Sequence, residues 1–223
     1  MTVAEPKILT RRDRYRFGDG PQLVLQAGTR GWSTKDLEDP EIHFLWNQGR
    51  YEIIDGVLTL MPPAYFRGGM VVDNLKFLLR SYFKAQQIRA VFSGEVDIAI
   101  TPTRAVRADG VVVIGEDLPR FEALHFELAG TTWKDHVLTL PPTLVIESVS
   151  EGHEDHDQVT KRQWYADFKV PHHWVVDGFR QTLECLRLNG DNYAVDATGA
   201  QHETLEPPSF PGLKIPLREV WET

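Results

Sequence analysis

Apolar positions along this chain change their period several times, and each change marks an element. Over residues 69–87 they recur every three to four residues, with Val71, Leu75, Leu78, Leu79 and Tyr82 on one side, which predicts an amphipathic helix. Residues 33–47 also read as helical, opened by Ser33 with Asp36 three positions on, a capping pattern. Over residues 51–60 apolar residues flank Asp55-Gly56, a tight-turn pair, so a hairpin is expected there, and Pro62-Pro63 breaks it. Four strand-like runs follow, at residues 90–92, 95–101, 107–114 and 143–149. A polar helix over about residues 157–168 leads into a strand at 173–177 and a hairpin over 182–195 that turns at Asn189-Gly190. Past Pro207, Pro208 and Pro211 comes an extended piece at 213–217. Residues 115–137 are the least regular and read as a surface excursion. Residues 1–32 read as an N-terminal extension and 33–223 as one domain. The order predicts an α/β or α+β fold: a mixed sheet core flanked by helices, with an added C-terminal hairpin.

Composition sets bounds on this picture. A chain of 223 residues, 42% hydrophobic and 25% charged, suits one soluble domain with decoration. No stretch approaches the roughly 20 apolar residues that span a bilayer, so no membrane partner is expected. The opening Met-Thr-Val-Ala-Glu-Pro-Lys lacks an apolar signal core, so no export signal is expected. One cysteine, Cys185, excludes an internal disulfide framework and fits a reducing cytoplasm. With 24 basic and 32 acidic residues the net charge is −8, which lowers the expectation of a nucleic-acid partner. The early arginines, Arg11, Arg12, Arg14 and Arg16, read as a solvated arm more readily than as a phosphate-touching one.

Chemistry enters where polarity interrupts the apolar runs. Glu147 stands inside Leu-Val-Ile-Glu-Ser-Val, where a carboxylate is costly unless a cation, a metal or hydrogen bonds compensate it. Asp109 lies at the entry of another apolar strand. If the two strands are neighbours, both acids reach one sheet edge, where a divalent cation would relieve their repulsion. Mg²⁺ prefers oxygen ligands of this kind, and the Ser148 carbonyl would be a further ligand. Asp157, Lys161 and Tyr165 are spaced by four and share one helix face, from which Lys161 could orient the attacking water or stabilise charge on phosphorus.

These residues occur together in a known order. The segments Tyr51-Glu52-Ile53-Ile54-Asp55-Gly56, Met61-Pro62-Pro63, Arg107-Ala108-Asp109-Gly110-Val111-Val112-Val113 and Glu147-Ser148-Val149-Ser150 form the first part. Asp157, Lys161 and Tyr165, then Val170-Pro171-His172-His173-Trp174-Val175-Val176-Asp177 and Pro211-Gly212-Leu213, complete it. From about residue 45 to the end the chain resembles the Uma2 family (DUF820), bacterial endonucleases of the PD-(D/E)XK superfamily. The resemblance implies a restriction-endonuclease-like core, a site for Mg²⁺ or Mn²⁺ on Asp109 and Glu147, and DNA as substrate. It also implies that Lys161 replaces the lysine that usually stands two residues after the second acid, where this chain has Val149. Glu52 matches the family's early acid and is carried over as an outer metal ligand. Three departures are visible: Ala108 in place of a proline, Phe66-Arg67-Gly68 where a histidine is usual, and the acidic run 151–156 where proline and arginine are usual.

Each residue also has a plainer reading. Asp109 could cap a turn, and Glu147 could pair with Lys161 as a structural ion pair. Trp164 and Tyr165 read as core residues at helical spacing, His173 and Trp174 as opposite faces of a strand, and Cys185 as a packed thiol. The leading functional reading is a metal-dependent endonuclease acting on DNA, with a homodimer needed to cut both strands. The alternative is a catalytically silent nucleic-acid-binding or assembly module that keeps the fold. A third reading, a metal hydrolase built on His153 and His156, ranks last.

Overall fold

Strands form where the apolar period is two and helices where it is 3.6, with three departures from the sequence reading that bear on the site. In the computed structural model, residues 25–61, 65–125, 137–149 and 159–222 are described. In chain order they give α1 (Pro40–Gln48), β1 (Tyr51–Ile54), β2 (Val57–Leu60), α2 (Phe66–Ala85), β3 (Ala90–Ser93), β4 (Val96–Thr101), β5 (Arg104–Ala108) and β6 (Gly110–Ile114). There follow α3 (Leu118–His125), β7 (Val137–Leu138), β8 (Leu144–Ser148), α4 (Lys161–Asp167), β9 (His172–Asp177), β10 (Thr182–Asn189) and β11 (Asn192–Ala200). The short pair β12 (Thr204–Leu205) and β13 (Ile215–Pro216) and a last helix, α5 (Leu217–Trp221), close the domain.

The strands make two main sheets. One has five strands in the order β2-β1-β5-β4-β7, the other six in the order β11-β10-β9-β8-β6-β3, and both mix parallel and antiparallel neighbours. Both faces of the six-stranded sheet are covered, so its central strands are apolar throughout. Val112, Leu144, Ile146, Trp174 and Val176 point to one core with α2 and α5. Their alternates Val111, Val113 and Val145 point to a second core shared with Ile98, Val106, Trp164 and Tyr165. A third core, around Trp46, Ile53, Leu58 and Ala105, lies on the other side of the five-stranded sheet. The result is a mixed α+β architecture with helices flanking its sheets. Leu25 and Trp32 are buried in the third core, so the packed domain reaches back at least to residue 25. Among the described residues no helix is long and apolar enough to cross a membrane.

The first departure is that residues 33–47 are not one helix. A 3-10 turn, Thr34–Glu38, ends at Asp39, whose backbone is extended (φ −78°, ψ 119°), and α1 starts at the next residue, a proline. Proline disfavours helical backbone at the residue before it, which is sufficient cause. The second is that the expected strand at 107–114 is two strands in two different sheets, with Asp109 as a bend between them. The third is that the extended piece at 213–217 gives way to α5, whose Leu217, Val220 and Trp221 are buried. The excursion at 115–137 holds α3 and β7, with 126–136 outside the described residues.

Candidate active site

Glu147 lies in β8 in phase with Val145, so it points into the second core. Its carboxylate is nearly sealed, at 1% exposure. Compensation arrives from α4, on which Lys161 and Tyr165 are one turn apart and share a face. The Tyr165 hydroxyl donates a 2.5 Å hydrogen bond to Glu147 Oε1. The Lys161 ammonium lies 3.4 and 3.5 Å from the two Glu147 oxygens and 3.0 Å from Glu52 Oε1, and donates to the Arg107 carbonyl at 3.2 Å. Burial, then the Glu147 charge, push the Tyr165 phenol well above its usual range, and the charges of Glu52 and Asp109 add to this. Tyr165 is therefore a fixed proton donor to the Glu147 carboxylate.

Glu52 comes from β1, and its Oε1 also accepts the Arg107 amide at 3.2 Å. Arg107 is braced from behind. Its guanidinium forks onto Asp97 at 2.9 and 3.0 Å, and Trp46 Nε1 donates to the same carboxylate at 2.8 Å. Burial raises the Asp97 carboxyl's pKa, and Arg107 and Trp46 oppose that. A buried fork of this kind fixes the Arg107 backbone, whose amide donates to Glu52 and whose carbonyl accepts from Lys161.

Asp109 is brought in by register. β6 and β8 are antiparallel with Gly110 opposite Ile146, so the next step along each chain sets Asp109 against Glu147. The ladder ends there because Asp109 Oδ2 takes the Ser148 amide at 2.9 Å. Its other oxygen lies 3.4 Å from the Arg50 guanidinium, which also binds Glu95. The Asp109 side chain keeps 20% of its surface open, unlike Glu147. Gly110 permits the bend: a Cβ there would stand 3.0 Å from Val72 Cγ1 and 3.3 Å from Ile146 Cβ. All five expected site residues, Glu52, Asp109, Glu147, Ser148 and Lys161, line one cavity of about 240 Å³. Gly68 and Gly69 of α2 line it too, and that helix starts without an acid in its first turn and without a side-chain cap.

The donor set is one a hard divalent cation accepts: the carboxylates of Asp109 and Glu147, and the main chain of Ser148 between them. Among the described residues no three His, Cys, Asp or Glu groups close on one point, so a cage built wholly of side chains is absent. Mg²⁺ does not require one, since it keeps several waters and takes one or two carboxylates. The residues fit such an ion on this ground.

His153, His156, Asp157 and the acidic run 151–156 lie outside the described residues. His173 and Trp174 do point to opposite faces, Trp174 against Phe210 and His173 against Tyr165 and Tyr193. Burial brings the His173 pKa down to about 3 and that of His172 to about 4, so both rings are neutral. Cys185 is sealed in the first core with its thiol pKa well raised, a packed thiol and not a nucleophile. Tyr165 was read as core; it is buried, yet it also holds Glu147, and its spacing of four from Lys161 was the available signal. Sequence alone does not single out Arg50 and Arg107 as site residues, because nothing in a local pattern separates an arginine that faces a site from one that faces water.

The family model described as "Uma2: Putative restriction endonuclease" matches residues 40–218. A search of curated proteins finds no match. Among solved structures, the fold is similar to a "putative nuclease belonging to DUF820" from Anabaena variabilis ATCC 29413. That match has a TM-score of 0.56 and 14% identity, over 78% of this chain and 90% of the other. The chain belongs to the Uma2 family.

Proposed function

We propose that this protein is a metal-dependent endonuclease that hydrolyses phosphodiester bonds in DNA, with Mg²⁺ or Mn²⁺ held by Asp109, Glu147 and the Ser148 carbonyl. The observation that carries this reading is that three carboxylates and one ammonium, drawn from β1, the β5–β6 bend, β8 and α4, line one cavity, with the ammonium paired to two of the carboxylates. A structural ion pair alone needs neither the third acid nor the opening. When bound, the cation would polarise the phosphate and acidify water.

The chain's own groups have separable tasks. Tyr165 and Lys161 hold Glu147 in one orientation in a buried setting. Lys161, between Glu147 and Glu52, presents its positive charge at the cavity wall, where it orients a water or stabilises charge on the phosphate. Arg50 sets a second cation beside Asp109 at the opening. The first turn of α2, bearing Gly68 and Gly69, sets the positive end of the helix dipole beside the same space.

Nicking of supercoiled plasmid with Mg²⁺ or Mn²⁺ tests the reading. Native protein is expected to nick, and Glu147→Ala and Lys161→Ala to lose roughly 10²-fold or more. Calorimetric Mn²⁺ titration supplies a readout independent of turnover. Equal Mn²⁺ binding by native protein and Glu147→Ala would overturn the metal assignment. DNA binding without metal-dependent nicking would favour the silent-module alternative.

A further inference from the structure

Three large side chains are exposed beside the cavity mouth. Tyr65, which lines the cavity, is 45% exposed, Phe66 next to it 89%, and Phe179 52%. The rings of Tyr65 and Phe179 meet edge to face with centroids 6.1 Å apart, although they come from the α2 start and the β9–β10 turn. The Arg67 guanidinium lies 5.5 Å above the Phe179 ring.

Phe179 and Arg67 are held in place. Asp177, buried at the end of β9, accepts the Phe179 and Arg180 amides at 2.9 and 2.8 Å and fixes the turn that carries the ring. Gly178 receives the Arg67 stem: a Cβ there would stand 3.1 Å from Arg67 Cγ, and Arg67 donates to the Gly178 carbonyl at 3.4 Å. Exposed aromatic surface costs solvation and is not needed by any core, so a fixed ledge of this kind marks a binding surface.

We propose that this ledge stacks an unpaired nucleobase of the strand whose phosphate enters the cavity, so that the substrate is single-stranded or locally unpaired nucleic acid. This rests on the endonuclease reading above and names its substrate class. In a duplex both faces of each base are covered by neighbours, whereas an unpaired base offers a free face to an aromatic ring or an arginine plane. Tyr65 supplies continuity, since one ring borders both the ledge and the cavity. Arg67 supplies charge complementarity to the adjoining phosphate. A second copy of the chain is a poorer occupant, because a few rings and one arginine fall far short of the roughly 800 Å² per partner that a stable interface buries.

Fluorescence anisotropy tests this with Ca²⁺ present, an ion that takes the same oxygen ligands. The probes are labelled oligothymidylate, an abasic strand of equal length, and a blunt duplex. Oligothymidylate is expected to bind tightest. Tyr65→Ala and Phe179→Ala should each weaken it about ten-fold while leaving the abasic strand unchanged, and Phe179→Trp should retain binding. Equal loss on the abasic strand, no loss on oligothymidylate, or preference for the duplex would overturn the ledge assignment and leave the endonuclease reading standing. If native protein binds none of the three, the endonuclease reading fails and takes the ledge assignment with it.

Discussion

Lys161 is buried, at 4% exposure, against oxygens of Glu52 and Glu147 and the Arg107 carbonyl. Removing that ammonium leaves two buried carboxylates facing each other. Lys161→Met is expected to lose roughly 3–5 kcal/mol in urea melts, and Mn²⁺ to restore more stability to this variant than to native protein. Tyr165→Phe removes one donor from Glu147 and should cost about 1–3 kcal/mol, with reduced plasmid nicking. His173 gives a pH-dependent counterpart. Its pKa falls from 6.5 to about 3 on burial, and neither ring nitrogen finds a hydrogen-bond partner among the described residues. Between those values the unfolded chain binds a proton that the folded chain does not, so stability declines as pH drops below 6.5. Urea melts across that window should show native protein losing up to about 1.4 kcal/mol per pH unit more than His173→Phe; parallel profiles would contradict the burial argument.

The bend between β5 and β6 is the element on which the site turns. Alternation across Arg107 to Ile114 gives no hint of it, because Ala108 and Gly110 keep the apolar run going on both sides of Asp109. Its cause is a hydrogen bond from Ser148, 39 residues away in sequence, with tight contact of Gly110 against Val72 and Ile146. Gly110→Ala is expected to cost about 1–3 kcal/mol by overpacking and to lower nicking further by displacing Asp109, which thermal melts and plasmid assays would separate. By contrast, the hairpin turning at Asp55-Gly56 was readable directly. Asp55 and Gly56 take positive φ of 50° and 76°, as the turn between twisted strands demands.

Across the whole molecule, net charge is a sum that does not say where the cations stand. The net value of −8 argues against a polyanionic partner, yet Arg50, Lys76, Arg107 and Lys161 all line the one cavity. Two of these are paired with acids of the chain itself, Lys76 with exposed Asp73 and Arg107 with buried Asp97. Few cations are left for phosphate, so binding to a single strand should depend weakly on salt. A slope of about −1.4 in log Kobs against log salt, two phosphates' worth, is the expected result; a slope several times steeper would place much of the contact outside this cavity.

The elements, their rough order, the α+β class and the residues worth testing were all determined by the chain itself, because periodicity, turn pairs and a carboxylate in an apolar run are local signals. Tertiary structure alone decided that one expected strand is divided between two sheets, that a tyrosine of the second core also fastens Glu147, and that a Tyr65–Phe179–Arg67 ledge borders the cavity. Those facts depend on register and on hydrogen bonds between segments far apart in sequence, and no local pattern encodes which distant amide a carboxylate will meet.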